Sequence, residues 1–417
     1  MKISNQLTLI ITFLVCAGLH SAEAADLLAD YQRARHTDAV FSAAKADYET
    51  GRIQSQMAGA AYYPQATLSQ TQLPNEDSDR QTITVSQPVV NVDRWLSLQE
   101  KNPRSAMAET VLVKSQYDLA LRLLKVVSAL SESREKLLLN KSALEALQAQ
   151  MASAQRAYEL GRGTITDVYD SKVRLAQARS QTLTFQSALQ AAQRQYENMV
   201  GEPPQPASYT LNKAGVELKM PSLQEFMNQA RRGNPNIRAR ELASTVGDIT
   251  RKRVRAVFLP SINATVQRSS LNGTSTTSSG IALRLDLPLD MTSYLKLKTS
   301  DLDQQKLLDQ ERDTKEQVIL DIQRLYSEVQ SSMSEVAIRR DAIAAAEQSV
   351  SANEQSFTGG VRTKIDVLNA LQALHQTKSD YITTLLQLGE RLLNLQVSSA
   401  VNIELALQQV QAQLFQY

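Results

Sequence analysis

The sequence predicts a mainly α-helical chain with a small β part, built as a duplicated unit of long antiparallel coiled-coil hairpins plus short β-strands. Three observations carry this. Apolar residues recur at alternating spacings of three and four over two very long stretches. Each stretch is broken once by a Gly-containing turn followed by Thr and Asp, at GRGTITD (161–167) and GGVRTKID (359–366), and then resumes. Short segments led by Pro64 and Pro260 alternate apolar and polar residues with a period of two.

Composition supports extended helix over a thick globular core. Of 417 residues only 14 are Gly and 5% are aromatic, while Ala, Leu, Gln, Ser, Lys and Glu dominate the interior. A net charge of +2, with 21% charged residues, gives no field that would select nucleic acid.

Residues 1–24 read as a secretory signal peptide. Lys2 precedes an apolar run from Leu7 to Leu19, and Ala22-Glu23-Ala24 forms a small-residue cleavage site before Ala25. The run is shorter than the roughly 20 residues of a spanning helix. Cys16, the one cysteine, lies inside this segment and follows Val15 rather than the small residue a lipidation site wants. The exported chain is therefore expected to lack disulfides and thiol chemistry.

The chain repeats itself. At a separation of 199 positions, Tyr158, Gly161, Thr164, Asp167 and Val168 fall on Phe357, Gly360, Thr363, Asp366 and Val367. At a separation of 196, Ala34, Arg35 and Pro64 fall on Ala230, Arg231 and Pro260. The expected organisation is a first repeat over 25–200, a linker over 201–220 that begins with GEPPQPAS, a second repeat over 221–400, and a C-terminal segment over 401–417.

Each repeat presents its elements in the same order. In the first, a helical stretch from about 26 to 60 leads to AYYPQATLSQTQL, a polar turn PNEDSDR, and the alternating TITVSQPVV. In the second, VFLPSINATVQRSS is followed by LNGTSTTSSG, read as a loop, and then by the strand IALRLDLPL. Period-2 spacing marks Ile83 and Val85, then Ile262, Ala264 and Val266, then Ile281, Leu283, Leu285 and Leu287. About four strands are expected.

A long helix follows each hairpin. From Val92 to about Leu160, with only Pro103 inside, the apolar seam runs through Leu119, Leu123, Leu130, Leu137, Leu144 and Met151. A helix of that length spans roughly 100 Å. The return run carries Val168, Leu175, Ala178 and Tyr196. The second repeat matches it with Ile322, Leu325, Val329 and Val336, then Leu385, Leu388, Leu392 and Leu395. These stripes are seams of core packing. The breaks are hairpin tips: Gly161, Gly163, Gly359 and Gly360 supply the reversal. Thr164 and Thr363 are placed to cap the returning helices, with Asp167 and Asp366 in their first turns. Capping alone accounts for these four polar residues.

Four strands can cross a bilayer but cannot close a barrel, and an open edge in lipid leaves backbone groups unsatisfied. If the strands span a membrane, several copies must share one barrel, and three copies supply twelve strands. Trp95, just after the second strand, suits a membrane interface and equally an anchor between helices.

The duplicated unit, the Pro-led hairpins, QPVVNVDRW (87–95), NPNIRAR (234–240) and the two G-x-x-T-x-x-D-V tips together resemble the TolC family of outer-membrane channel proteins. The resemblance covers essentially the whole chain beyond the signal segment. It implies a homotrimer with one shared 12-stranded transmembrane β-barrel and a hollow α-helical barrel projecting into the periplasm. It implies a passive exit duct for type I secretion or for efflux, docked on a periplasmic adaptor (membrane fusion protein) and an inner-membrane ABC or proton-driven transporter. The QPVVNVDRW segment and the missing lipidation Cys lean toward the secretion branch.

The resemblance also assigns roles at the tips. Arg362 matches a latch Arg that holds the closed state, and Asp167 matches an acid partner of that Arg. Phe357 stands where the family's best-known member has Tyr, so a hydroxyl hydrogen bond is missing. Asp366 matches an acid lining the entrance. Asn369 replaces a second acid there, and Asp170 holds the equivalent place in the first tip. A weaker latch and weaker cation block are therefore expected.

Two other classes compete with this reading. Beyond the signal the chain keeps only His36 and His375, with no phosphate loop or nucleophile motif, so neither enzyme activity, cofactor nor metal is expected. A periplasmic coiled-coil adaptor, or a structural protein of an export system, is the stronger alternative. An adaptor is expected to carry one helical hairpin, whereas this chain has two, together with two alternating-strand pairs.

Overall fold

The computed structural model describes residues 26–72, 79–205, 208–212, 220–271, 274–285 and 290–415; the predicted signal peptide, with Cys16, lies outside them. So does most of the PNEDSDR turn and part of the 201–220 linker. The first half runs α1 (Leu27–Thr37), α2 (Ala39–Ala60), β1 (Gln65–Gln72), β2 (Asp79–Val90), α3 (Val92–Glu159) and α4 (Ile165–Val200). The second half repeats that order with α5 (Leu223–Gly233), α6 (Pro235–Ala256), β3 (Ser261–Leu271), β4 (Thr274–Arg284), α7 (Met291–Thr358) and α8 (Lys364–Ser398). A last helix, α9 (Ile403–Leu414), follows.

The stretch from 26 to 60 is helical but turns once, at Asp38, and the second repeat turns at the equivalent Asn234. The two corners share one construction. Asp38 N–H bonds the Ala34 carbonyl while its carboxylate accepts from Phe41 N at 2.7 Å. Asn234 N–H bonds the Ala230 carbonyl while its Oδ1 accepts from Asn236 N at 2.9 Å, and Pro235 takes the first helical position. Each corner is then tied to a long helix. Arg122 of α3 grips Asp38 through two bonds of 3.1 and 2.7 Å, and Asn234 Nδ2 donates to the Ser398 carbonyl at the end of α8. This explains the NPN of NPNIRAR in physical terms.

The helices α3 and α7 each run 68 residues, about 100 Å. α3 follows β2 directly, and both helices start on a capping side chain: Asn91 accepts from Arg94 N at 3.0 Å and Asp290 from Ser293 N at 2.9 Å. α3 packs along α4 and α7 along α8 as two antiparallel hairpins. Their middles form the main core, where Leu119, Leu123, Leu124 and Leu130 meet Ile322, Leu325, Leu385, Leu388 and Leu393 under α1, α5 and α9. The C-terminal segment belongs to this core. Leu407, Val410 and Leu414 of α9 are buried, and Leu211 from the 201–220 stretch bridges to Phe415. Toward the tips the seams thin out, and Leu144, Leu147 and Met151 are only half-buried.

The strands form one antiparallel sheet in the order β1-β2-β3-β4, so the two repeats meet at β2 and β3. One sequence reading needs correcting here. LNGTSTTSSG is not a loop: Thr274 to Gly280 pair with Leu271 back to Thr265, and the described strand runs to Arg284, while Leu287 lies outside the described residues. The β-branched Thr and small Ser suit a strand with no core to bury. The Leu271–Thr274 pair leaves only Asn272-Gly273 between the strands, the dipeptide a two-residue hairpin turn favours.

Gly389 of α8 lies against α9, where an added Cβ would come within 2.1 Å of Leu414 Cδ1 and 2.9 Å of its Cγ. Gly389→Val is expected to lower the stability of the helical core by about 1–3 kcal/mol. Gly280→Ala, which meets nothing within 4 Å, should be near neutral. Thermal unfolding followed by helical circular dichroism compares the two.

Candidate functional site

The sheet has two chemically different faces. Strand pleating puts alternate residues on opposite sides, and the register aligns like with like across the strands. One face carries Leu68 beside Ile83, Ala66 beside Val85 and Val266, Ala264 beside Ile281, and Ile262 beside Leu283. The other carries Thr67, Thr84, Gln267 and Ser278 in one row and Gln65, Ser86, Thr265 and Gly280 in the next. The apolar face is uncovered: Leu68 is 72% exposed, Ile281 78% and Leu283 71%. It extends over six residues of strand, roughly 20 Å, before Gln70, Gln81, Ser270 and Ser275 make it polar. No core of this chain accounts for that face; a bilayer does.

At the helical end of the sheet the strand–helix junctions carry aromatics. Tyr63 before β1, Trp95 in the first turn of α3 and Tyr294 in the first turn of α7 are all exposed, and Phe258 before β3 is half-buried. Such a belt is typical of a membrane–water interface. Tyr63 and Tyr294 were missed in the sequence; their place at the same strand–helix boundary as Trp95 was the available signal. The QPVVNVDRW segment forms this junction. Gln87 Nε2 donates to the Tyr62 carbonyl at 3.0 Å, and Asp93 accepts from Arg253 of α6 at 2.8 Å. Arg253 also reaches Glu100, itself held by Arg104 at 2.9 Å, so an ion-pair network clamps the two repeats below the sheet.

The tips lie at the far ends of the hairpins, built alike. Gly161 and Gly360 adopt φ of +66° and +74°, the left-handed conformation glycine allows. Arg162 N bonds back to the Ala157 carbonyl at 2.8 Å and Val361 N to the Ser356 carbonyl at 2.9 Å, closing each helix with a Schellman-type bond. Gly359 has negative φ, and Gly163 is needed for space, since a Cβ there would sit 3.1 Å from that of Ala157. Thr164 and Asp167 form a reciprocal capping box, with Asp167 Oδ2 accepting from Thr164 N and Oγ1 at 3.1 and 2.7 Å. Thr363 and Asp366 form the same box at 2.9 and 2.8 Å.

Within one protomer Arg362 lies 3.8 Å from its own Asp366. The Thr363 backbone N–H and hydroxyl, with Arg362 beyond them, hold the Asp366 carboxyl below the usual carboxylate range. Asp167 instead faces Lys364, which is 8% exposed, with its ammonium 6.0 Å from the Phe357 ring centre. Burial pushes the Lys364 ammonium down and Asp167 opposes that shift. Asn369 and Gln372 both accept from Arg174 of α4, at 2.7 and 2.6 Å, which straps α8 to the first hairpin. Asp170 is half-buried on α4 one turn beyond Asp167. Lys364 and Arg174 are thus site residues that the sequence did not single out, because each partner lies nearly 200 positions away. Among the described residues, no helix is long and apolar enough to cross a membrane, and no group of side chains could hold a metal ion.

A family description of outer membrane efflux proteins matches residues 226–400. The alkaline protease secretion protein AprF of Pseudomonas aeruginosa is 24% identical over 410 residues, covering 87% of this chain and 83% of its own length. The second half of the chain thus resembles the outer membrane efflux proteins. The proteins this chain is similar to are outer-membrane channel and secretion proteins. The proteases secretion protein PrtF of Dickeya chrysanthemi is 27% identical over 201 residues, and that match spans less than half of PrtF, 44% of each chain. The fold is shared with the channel CusC, at a TM-score of 0.78 and 14% identity over 90% of this chain and 92% of that one.

Removing either tip cap, by Thr164→Ala or Thr363→Ala, should cost about 1 kcal/mol locally, roughly fivefold faster amide exchange in the first turn of α4 or α8. The Asp366 contribution to its cap is complete above about pH 4 and fades as pH falls through its lowered pKa. Hydrogen exchange read by mass spectrometry checks both.

Proposed function

We propose that three copies of this chain close their sheets into one twelve-stranded barrel and act as a passive exit duct gated at the hairpin tips. The observation that carries this reading is the one-sided sheet: apolar and bare on one face, hydroxyl- and amide-rich on the other, with both edges open. Such a sheet suits lipid outside and water inside. Its even number of antiparallel strands lets β4 of one copy meet β1 of the next antiparallel, so a ring closes without a mismatched pair. The helices point the same way. The chain exposes 25790 Å², against roughly 16,000 Å² for a compact monomer of its mass. Leu183, Leu320 and Ile338 stand bare on the hairpins, as protomer contacts would. The periplasmic adaptor alternative leaves the sheet without a role.

Gating follows from the tips. Arg362 would exchange its own Asp366 for an acid of a neighbouring protomer, with Asp167 the acid that the family pattern favours, and hold the ring of tips together. Phe357 packs beneath Lys364 without the hydroxyl of a Tyr. Three Asp366 carboxylates would make the entrance favour cations. Asn369, bonded to Arg174, supplies no second acidic ring. Docking of a periplasmic adaptor, with an ABC or proton-driven transporter behind it, would replace the Arg362 bonds and spread the tips. The energy is the transporter's; this chain catalyses nothing. Relatives named for protease secretion favour a polypeptide cargo and a type I secretion system.

In planar bilayers the protein should give a small cation-selective conductance that grows several-fold with Arg362→Ala and loses selectivity with Asp366→Ala. Channels indifferent to both would leave the duct and remove the gate assignment. Ile281→Arg, on the apolar face, should cost about 2–4 kcal/mol of membrane stability and deplete the heat-sensitive trimer. Ser278→Arg, on the other face, should assemble.

A further inference from the structure

Between the two hairpins, on the core side of the tips, lies a cavity of about 320 Å³. Its walls come from three helices of one chain. α3 contributes Leu139 and Leu147, α8 contributes Leu368, Leu371 and Leu374, and α4 closes it around Ala178. Arg174 and Gln372, bonded at 2.6 Å, both line it, so the strap between the hairpins is part of its wall.

Two polar atoms are buried at this cavity without a partner, Asn140 Oδ1 and His375 Nε2. Asn140 is 1% exposed. Its Nδ2 donates to the Ala178 carbonyl at 2.9 Å and to Thr182 Oγ1 at 2.8 Å, which fixes the orientation of the amide and leaves Oδ1 to face a donor from elsewhere. Buried polar groups are nearly always paired, and an unpaired one calls for an explanation. Two of them beside one apolar cavity point to a ligand that brings the missing hydrogen bonds.

The lining selects its chemistry. Among the described lining residues there is no carboxylate, so a cation entering here would be desolvated without a counter-charge. Lys378 is paired with Glu347 at 2.7 Å, and Arg174 is taken up by its two amides. Burial pushes the His375 imidazolium down, so its ring is neutral near pH 7. A carboxylate only accepts, as Asn140 Oδ1 does, and the two would repel. A hydroxyl suits both atoms: it donates to Asn140, and it donates to or accepts from His375 in either tautomer. An apolar cavity of about 150 Å³ holds benzene, so this one has room for a body of about two rings.

We propose that this cavity binds uncharged, hydroxyl-bearing aromatic amphiphiles of naphthol-like size, with the hydroxyl on Asn140 and His375 and the rings among the leucines. Since α3 and α4 form one hairpin and α8 belongs to the other, an occupant joins the two. The site stands on the geometry of one chain. Its consequence rests on the duct reading: where the tips open by parting the hairpins, an occupant favours the closed arrangement.

The test uses the purified full-length protein and 2-naphthol as the probe. Calorimetry against a detergent-matched blank should show saturable binding, about tenfold tighter than naphthalene at equal free concentration and tighter than 2-naphthoate. His375→Leu should remove most of the preference over naphthalene. Ala146→Phe fills the cavity without removing either polar atom and should abolish binding in protein of unchanged helical content. Should that variant not fold, histidine-labelled wild-type protein carries the test: in its magnetic resonance spectrum 2-naphthol should move the His375 ring signal and leave that of His36 in place. No saturable binding, equal affinity for naphthol and naphthalene, a preference for naphthoate, or a His375 signal that ignores the probe would overturn the site. In planar bilayers 2-naphthol should lower the conductance of Arg362→Ala channels severalfold. Binding without that effect would overturn the link to gating, and binding by protein that forms no channel would remove the duct reading while the site stands.

Discussion

The rest of this structure hangs on unpaired backbone. A four-stranded sheet leaves one row of N–H and C=O groups along β1 and another along β4. In water such edges are tolerable and usually blunted by charge, proline or a covering element. Among the described residues no element pairs with either edge. They flank a face of Leu, Ile and Val that has no business in water, and in lipid each unsatisfied group costs several kcal/mol. In the proposed duct, closure on further copies of the same chain resolves both. The helices inherit this constraint. In that duct, chains that meet edge to edge at the barrel would also meet side by side below it, and residues such as Leu183, Leu320 and Ile338, bare on one protomer, would be covered.

The duplication serves the same end. Pairing β2 with β3 puts the two repeats in one sheet, while the clamp of Asp93, Glu100, Arg104 and Arg253 holds α3 to α6 immediately below it. The corners at Asp38 and Asn234 then bind the short helices to the long ones near the common core. One unit used twice thus provides both a strand pair and a stave of the helical wall. The polar chemistry at each joint has been varied, carboxylate–guanidinium in one repeat and amide–carbonyl in the other, without altering the turn.

Elements governed by neighbours in sequence were legible. The limits of α3 and its Gly-bounded end could be read directly, because seam and breaker lie next to one another in sequence, whereas its cap at Asn91 emerged only from the structure. The edges of β4 could not. Ser and Thr runs look like loop when a strand is judged by its apolar alternation, and here half the strand faces a polar space. What sets its extent is the register against β3, a property of pairs more than of residues. The tip contacts escaped for the same reason. Nothing near Arg174 in sequence names Asn369, and nothing near Lys364 names Asp167.

Those two contacts show how the tip is balanced within one protomer. A lysine at the first position of a helix opposes the helix dipole, and burying it adds a desolvation cost. Lys364 bears both, so the carboxylate of Asp167 and the face of Phe357 must offset them, which makes the first hairpin tip a partner of the second. Arg174 adds a tie of another kind. Its bonds run to neutral amides, Asn369 and Gln372, whose acceptors do not titrate. A carboxylate at 369 would have paired with Arg174 and lost much of its field in doing so. With Asn there the Arg174 charge is not neutralised by its partner, and Asp366 keeps its own contacts to Thr363 and Arg362. At the tips the two hairpins are therefore tied by one contact between opposite charges and one between a guanidinium and neutral amides, and only the first has an acceptor that titrates.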